Sequence, residues 1–258
     1  MSEPVVVLGM HRSGTSFLIR ALNLMGLWLG RETDLSTVEG RAMIGNPKGN
    51  YENREAIAIN NAIIMRSGGA WFNPPLQILA SAADVPRIRT FCEALEHGCP
   101  ANFRRWGWKD PRTVLTLDVW LGALKRPIFV IASFRHPTAV AQSLLARDKI
   151  PMELGYALWI HYNTLLLKYI DTFPHVLVRF DVPREFLLAQ TLRVCELARL
   201  TTDRHLIESW FDATLVRHNA QSDDIPRESP MNSLWNELIE RHRSQFPSSD
   251  CRSRGSGR

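Results

Sequence analysis

Cysteine is scarce in this chain, and the little there is excludes two classes of protein. Four cysteines stand in 258 residues: Cys92, Cys99, Cys195 and Cys251. They form no C-x-x-C pair and have no histidine at zinc-site spacing, so neither a disulfide scaffold nor a structural zinc site is expected, and the thiols read as reduced. The eight histidines are scattered. His205 and Glu208 share a helix face, but two ligands do not make a metal site, and no metal is expected. Long apolar runs are also missing. None reaches the ~20 residues that a bilayer span requires, so no membrane span is expected. Met1-Ser2-Glu3-Pro4 leads straight into an apolar strand without the charged leader and apolar segment of a signal peptide. The expectation is a soluble, cytoplasmic protein. Internal repeats and a domain boundary are absent as well.

Apolar residues are plentiful, at 45% of the chain, with eight tryptophans. That is enough for one sizeable core, and the length suits a single large domain over 1–246. The tail, 247–258, has almost no apolar residues and is expected to be disordered. A formal net charge of +5 favours an acidic partner. A polyanionic small molecule, nucleic acid and a membrane surface would each satisfy it. Near-continuous apolar runs at 5–8, 127–134 and 175–180, with a shorter one at 105–108, predict buried strands. Helices are expected at 17–24, 55–65, 85–97, 115–124, 138–146, 152–170, 183–200, 203–210 and 231–241. Such alternation implies a parallel sheet covered on both faces, a three-layer α/β/α fold. Trp159, Tyr162 and Leu166 have helical spacing and read as core.

The segment 30–51 is rich in glycine and charge and too long for an ordinary connection, which marks it as functional or disordered.

The informative stretch is Gly9-Met10-His11-Arg12-Ser13-Gly14-Thr15-Ser16. It has the spacing G-x-x-x-x-G-x-[ST] of a phosphate-binding loop between a strand and a helix. Such a turn aims several backbone N–H groups at one spot, where the helix dipole also favours negative charge. Yet Thr15 stands where a nucleotide triphosphatase carries the lysine that reaches the β- and γ-phosphates. The loop reads as a site for an anion without a γ-phosphate, and with the alternating strands and helices it makes the expected fold P-loop NTPase-like, a three-layer α/β/α with a central parallel sheet.

A second anion site follows the strand ending at Phe134. Pro137 suits a first helical turn, so Arg135 sits at a strand's carboxyl end, where open α/β sheets bind ligands. Ser143 lies two helical turns on and can supply a hydroxyl beside the same anion, while an arginine there can hold a phosphate with two parallel hydrogen bonds. A surface ion pair and a solvated serine are the plainer account of the same two residues.

Taken together, these segments resemble the PAPS-dependent sulfotransferase superfamily, and more closely a bacterial-type sulfotransferase family. The segments that carry the resemblance are the loop 9–16, then Asn46-Pro47-Lys48-Gly49-Asn50-Tyr51-Glu52, Lys109-Asp110-Pro111-Arg112, and Arg135-His136-Pro137. It runs from about Val5 to about His218. The resemblance implies PAPS (3′-phosphoadenosine 5′-phosphosulfate) as sulfuryl donor. His11, Arg12, Ser13, Gly14, Thr15 and Ser16 would hold its 5′-phosphosulfate, and Arg135 with Ser143 its 3′-phosphate. Arg12 and Lys109 are similar to basic residues that contact the transferring group in related enzymes. Asp110 and Arg112 read as a buried ion pair shaping the turn.

An alcohol acceptor must lose a proton, so a base is expected. Glu52 closes the Gly-x-x-Glu pattern of the bacterial-type family and is preferred. Glu32, with Thr33, is placed like the catalytic Glu-Thr of tyrosylprotein-type enzymes and is the second candidate. Trp71 and Phe72 lie in a Pro/Gly-rich loop and either line the acceptor pocket or pack under the loop. The acceptor, a small molecule or a glycan, stays open between a sugar hydroxyl, a phenol, a lipid headgroup and an amine. Nothing in the sequence sets an oligomeric state. The alternatives are a P-loop nucleotide kinase or GTP-binding protein, and a basic nucleic-acid-binding module. Thr15 and the Ser133-Phe134-Arg135 strand end speak against the first. The lack of a clustered basic face speaks against the second, and no nucleic acid partner is expected.

Overall fold

The protein's structure, a computed structural model, describes residues 3–36, 49–210 and 229–247. Of the expected tail, 247–258, only Pro247 is described; His218, the far end of the resemblance, and Asn46-Pro47-Lys48 lie outside the described residues.

Five strands form one parallel sheet in the order β2-β3-β1-β4-β5. They are β1 (Val5–Leu8), β2 (Leu27–Trp28), β3 (Arg105–Lys109), β4 (Phe129–Phe134) and β5 (His175–Arg179). The helices are α1 (Thr15–Leu24), α2 (Arg54–Arg66), α3 (Asp84–His97), α4 (Thr113–Leu124), α5 (Pro137–Asp148), α6 (Met152–Thr172), α7 (Arg184–Leu197), α8 (Arg204–Trp210) and α9 (Pro230–Gln245). β1 is fully buried, and its alternation divides the core in two. Val6 and Leu8 face the layer of α2 to α6 and α9, while Val5 and Val7 face α1, α7 and α8. The expected three-layer α/β/α architecture is therefore the observed one. Trp159, Tyr162 and Leu166 are core residues, as their spacing indicates.

Local chemistry sets the element ends. Asn53 caps α2 by accepting from the Glu55 N–H at 3.0 Å, and Ser229 caps α9 by accepting from Asn232 N at 3.1 Å. Pro137 opens α5, as its fixed φ favours. Lys125 and Lys149 end α4 and α5 in the left-handed conformation. α7 stops at Leu197, three residues before the expected 200, because Arg199 takes φ +55°. β4 begins at Phe129, so the expected strand is two residues shorter at its start; Pro127 lacks the N–H a ladder needs. β2 is a strand that sequence patterning does not reveal. It is two residues long and is held to the sheet edge beside β3.

Among the described residues no helix is long and apolar enough to cross a membrane, and no group of three His, Cys, Asp or Glu could hold a metal ion. Cys92 and Cys195 are buried free thiols, each pushed up to about 12 by burial, which leaves them protonated and inert.

With this strand order the carboxyl ends of β1, β3 and β4 lie side by side at the middle of the sheet. The connection out of β1 runs to one edge, to β2, while the one out of β3 crosses β1 to β4 on the other side, and such a switch point is where open α/β sheets take ligands.

Candidate active site

The loop after β1 is shaped by two glycines that no other residue could replace without strain. A Cβ on Gly9, at φ +153°, would sit 2.5 Å from the Ser133 carbonyl oxygen, and one on Gly14, at φ +83°, 2.1 Å from the Phe180 ring. The Ser133 hydroxyl donates to the Ser13 carbonyl at 2.6 Å and pins the loop against β4. Arg12 is held at φ +70° at the loop's apex. α1 begins directly behind with no side-chain cap and no acidic residue in its first turn, which is the electrostatic state of a helix end suited to an anion. Ser13 Oγ and His11 Nε2 are buried and have no partner, so the loop holds polar atoms that only a ligand or water could satisfy.

Lys109 ends β3 and is 1% exposed. Its Nζ donates to Glu52 Oε1 at 2.8 Å, to Ser16 Oγ at 3.1 Å and to the Asn50 carbonyl at 3.1 Å. All three ammonium protons are thus committed, and a buried cation is matched by a buried carboxylate. Glu52 is brought there by its own chain. Its N–H donates to Ser36 Oγ at 3.0 Å, and Leu35 bridges Asn53 in antiparallel fashion, so the residues just after 49 are laid along the described end of the preceding segment. Glu32, on an exposed 3₁₀ turn (Glu32–Asp34), makes none of these contacts. The structure therefore brings Glu52, and not Glu32, to Lys109.

The turn after β3 is held from below. Asp110 accepts from Arg112 NH1 at 2.8 Å and from Asn60 Nδ2 at 2.9 Å, and is fully buried. Asn60 also accepts from Thr116 Oγ1 and Trp120 Nε1. The ion pair read from Lys109-Asp110-Pro111-Arg112 is present, and Asn60, an unremarked residue in the middle of a helical pattern, is its anchor.

The residues of the two candidate anion sites meet. Arg12 Nε donates to Ser143 Oγ at 2.8 Å, and Arg135 donates to the Arg12 carbonyl at 3.3 Å. Arg135 is 4% exposed, with its guanidinium 5.6 Å from the Phe180 ring centroid. Burial pulls its pKa below the usual arginine range, Asp181 opposing, and an anion would relieve that cost. Trp159 fixes the strand end by donating to the Arg135 carbonyl at 2.9 Å. Phe180, just past β5, thus touches both glycine loop and arginine. Sequence alone gave no signal for it beyond its place at a strand end.

His11 shows a further arrangement that sequence does not disclose. Its ring lies 4.2 Å from Trp71, and Tyr162 holds that loop by donating to the Trp71 carbonyl at 2.9 Å. Burial first, then the fields of Arg112, Arg147, Lys109 and Arg12, lower its pKa well below the usual histidine value, so the imidazole is neutral at pH 7.

No family model matches the chain, and no curated protein is similar to it. Among solved structures it is similar to the sulfotransferase domain of the olefin synthase from Synechococcus PCC 7002. The two align over 92% of this chain and 87% of that domain, at 15% identity and a TM-score of 0.49.

Proposed function

We propose that the protein is a sulfotransferase that moves the sulfuryl group of PAPS to an acceptor hydroxyl, releasing PAP (3′-phosphoadenosine 5′-phosphate). The observation that carries this is Lys109 on Ser16. In P-loop nucleotide hydrolases the loop's last Ser or Thr ligates magnesium, and a loop lysine reaches the terminal phosphates. Here Thr15 replaces that lysine, and the Ser16 hydroxyl accepts from the Lys109 ammonium at 3.1 Å. Asp110, the carboxylate that follows Lys109, is committed to Arg112 and Asn60, and Glu52 to Lys109 itself. This arrangement disfavours the nucleotide kinase or GTP-binding reading. It suits a donor whose transferring group needs a fixed cation rather than a metal-chelated triphosphate.

The site's own residues fit such a donor. The glycine loop offers N–H groups to a 5′-phosphosulfate, and Arg135 with Ser143 offers a second anion site for a 3′-phosphate one loop away. PAPS supplies an activated sulfur whose bridging oxygen gathers charge as the bond to the phosphate breaks. Arg12 is a donor within the loop, and Lys109, whose three protons are committed, acts on that developing charge through its fixed positive field, an interaction that strengthens in the transition state. Glu52, ion-paired to Lys109, takes the acceptor's proton in this reading. The cations serving the site, Lys109 and Arg135, are buried beneath it rather than spread over an exposed face, which suits a small anion better than nucleic acid.

Arg135→Ala tests the second anion site. Loss of a charge-assisted bidentate contact should cost about 2–3 kcal/mol, a weakening of PAP by about 30- to 150-fold. Adenosine 5′-phosphosulfate, which lacks the 3′-phosphate, should lose far less. Titration calorimetry of both ligands decides it. Equal losses would assign Arg135 to the fold and remove the 3′-phosphate site.

A further inference from the structure

An aromatic ladder runs from solvent to the anion loop. Phe72, 47% exposed, meets Trp71 edge-on at 5.5 Å. Trp71 lies 4.2 Å from the His11 ring, and His11 is a loop residue whose buried Nε2 has no partner. The ladder therefore ends on an unsatisfied hydrogen-bonding atom, in the positive field of Arg112, Arg147, Lys109 and Arg12.

Its exposed end is not a frayed loop. Ala70 and Asn73 exchange backbone hydrogen bonds at 2.9 and 3.1 Å, Leu79 N donates to Ser67 Oγ, and Arg66 donates to the Leu79 carbonyl. A loop tied at both ends nevertheless holds large apolar side chains in water. Eight large apolar side chains are exposed among the described residues, and four of them, Met65, Phe72, Leu76 and Leu79, fall on this short stretch and the end of α2. Local clustering of that kind marks a binding surface, whereas single exposed apolar residues need no explanation. A sugar ring would instead call for polar partners along its path.

Resting on the sulfotransferase reading above, we infer that the acceptor is a hydroxyl carried on an apolar, ring-sized body, which lies along Phe72 and Trp71 and has its oxygen received by His11 Nε2. His11 is neutral among four cations, so it orients the hydroxyl by donating to one lone pair and does not take the proton. The acceptor oxygen bonds to sulfur, the bond from sulfur to the bridging phosphate oxygen breaks, PAP departs, and the hydroxyl proton passes to Glu52.

The test uses the full chain loaded with PAP, and two probes, 2-naphthol and methyl β-glucoside. Calorimetry should show 2-naphthol binding at least about tenfold tighter than the glucoside. Phe72→Ser, a change at an exposed position, should weaken 2-naphthol about tenfold while leaving PAP affinity unchanged. His11→Phe keeps a ring against Trp71 but removes Nε2. With labelled PAPS it should lower kcat for 2-naphthol by about tenfold or more while KM moves only a few-fold. Glucoside binding as tight as naphthol, or a Phe72→Ser protein that binds naphthol normally, would overturn the acceptor class while PAP binding stands. Failure of PAP to bind at all would remove the donor reading, and this inference with it.

Discussion

Glu52→Gln should slow sulfuryl transfer by about 10²–10⁴-fold, the range expected when a positioned base is lost. The substitution is nearly isosteric. The glutamine oxygen can still accept from Lys109, whose other two bonds go to Ser16 and Asn50. Folding should therefore survive, and the defect should fall on turnover. PAP affinity should be unchanged or tighter, because the variant leaves the Lys109 charge unopposed beside the anion. Glu32→Gln is the control. Its carboxylate is exposed and makes no contact with Lys109, so its effect should be mild. Steady-state rates for both variants, with PAP affinity measured alongside, separate the roles. A crippled Glu32→Gln beside a normal Glu52→Gln would move the base to Glu32.

Gly14→Ala should abolish measurable PAP binding and destabilise the fold by about 2–4 kcal/mol. Two costs combine. Alanine at φ +83° occupies the left-handed region, and its Cβ would lie 2.1 Å from the Phe180 ring. That ring cannot simply step aside, since it packs on Phe17 at 6.1 Å and under the Arg135 guanidinium. Moving it disturbs the loop's N–H groups and the second anion site in one stroke. Thermal unfolding and calorimetry of the variant read the two effects. A Gly14→Ala protein with normal stability and normal PAP affinity would show that the loop does not hold the ligand.

The parts of this site that sequence disclosed are those governed by local rules. The continuous apolar run of Val5 to Leu8, the glycine spacing of the loop, Pro137 opening a helix and the alternation of apolar strands with helices each depend on a few neighbouring residues. Those patterns led to the layered sheet and to both candidate anion sites. Their union was not legible. The hydrogen bond from Arg12 to Ser143 joins residues 131 apart in the chain and exists only because β1 and β4 pair. The choice between Glu52 and Glu32 has the same cause. Both flank one irregular segment, and only the packing of Lys109 against the residues from 49 to 52 distinguishes them. The contact of Trp71 with His11 was hidden because a Pro/Gly-rich loop gives no periodicity from which to infer what it covers. β2 was missed for a simpler reason, since two residues are too short to show alternation.

The most direct test of the central claim is a ligand comparison on the wild-type protein. Calorimetry with PAP, AMP and ATP, each with and without magnesium, asks whether the loop that lost its lysine has become a site for a 3′,5′-bisphosphorylated nucleotide. The account predicts PAP binding well above both AMP and ATP and independent of magnesium, because Lys109 on Ser16 supplies the cation and Arg135 the second phosphate contact. Magnesium-dependent ATP binding tighter than PAP would contradict it and return the protein to the nucleotide-hydrolysing side of the fold.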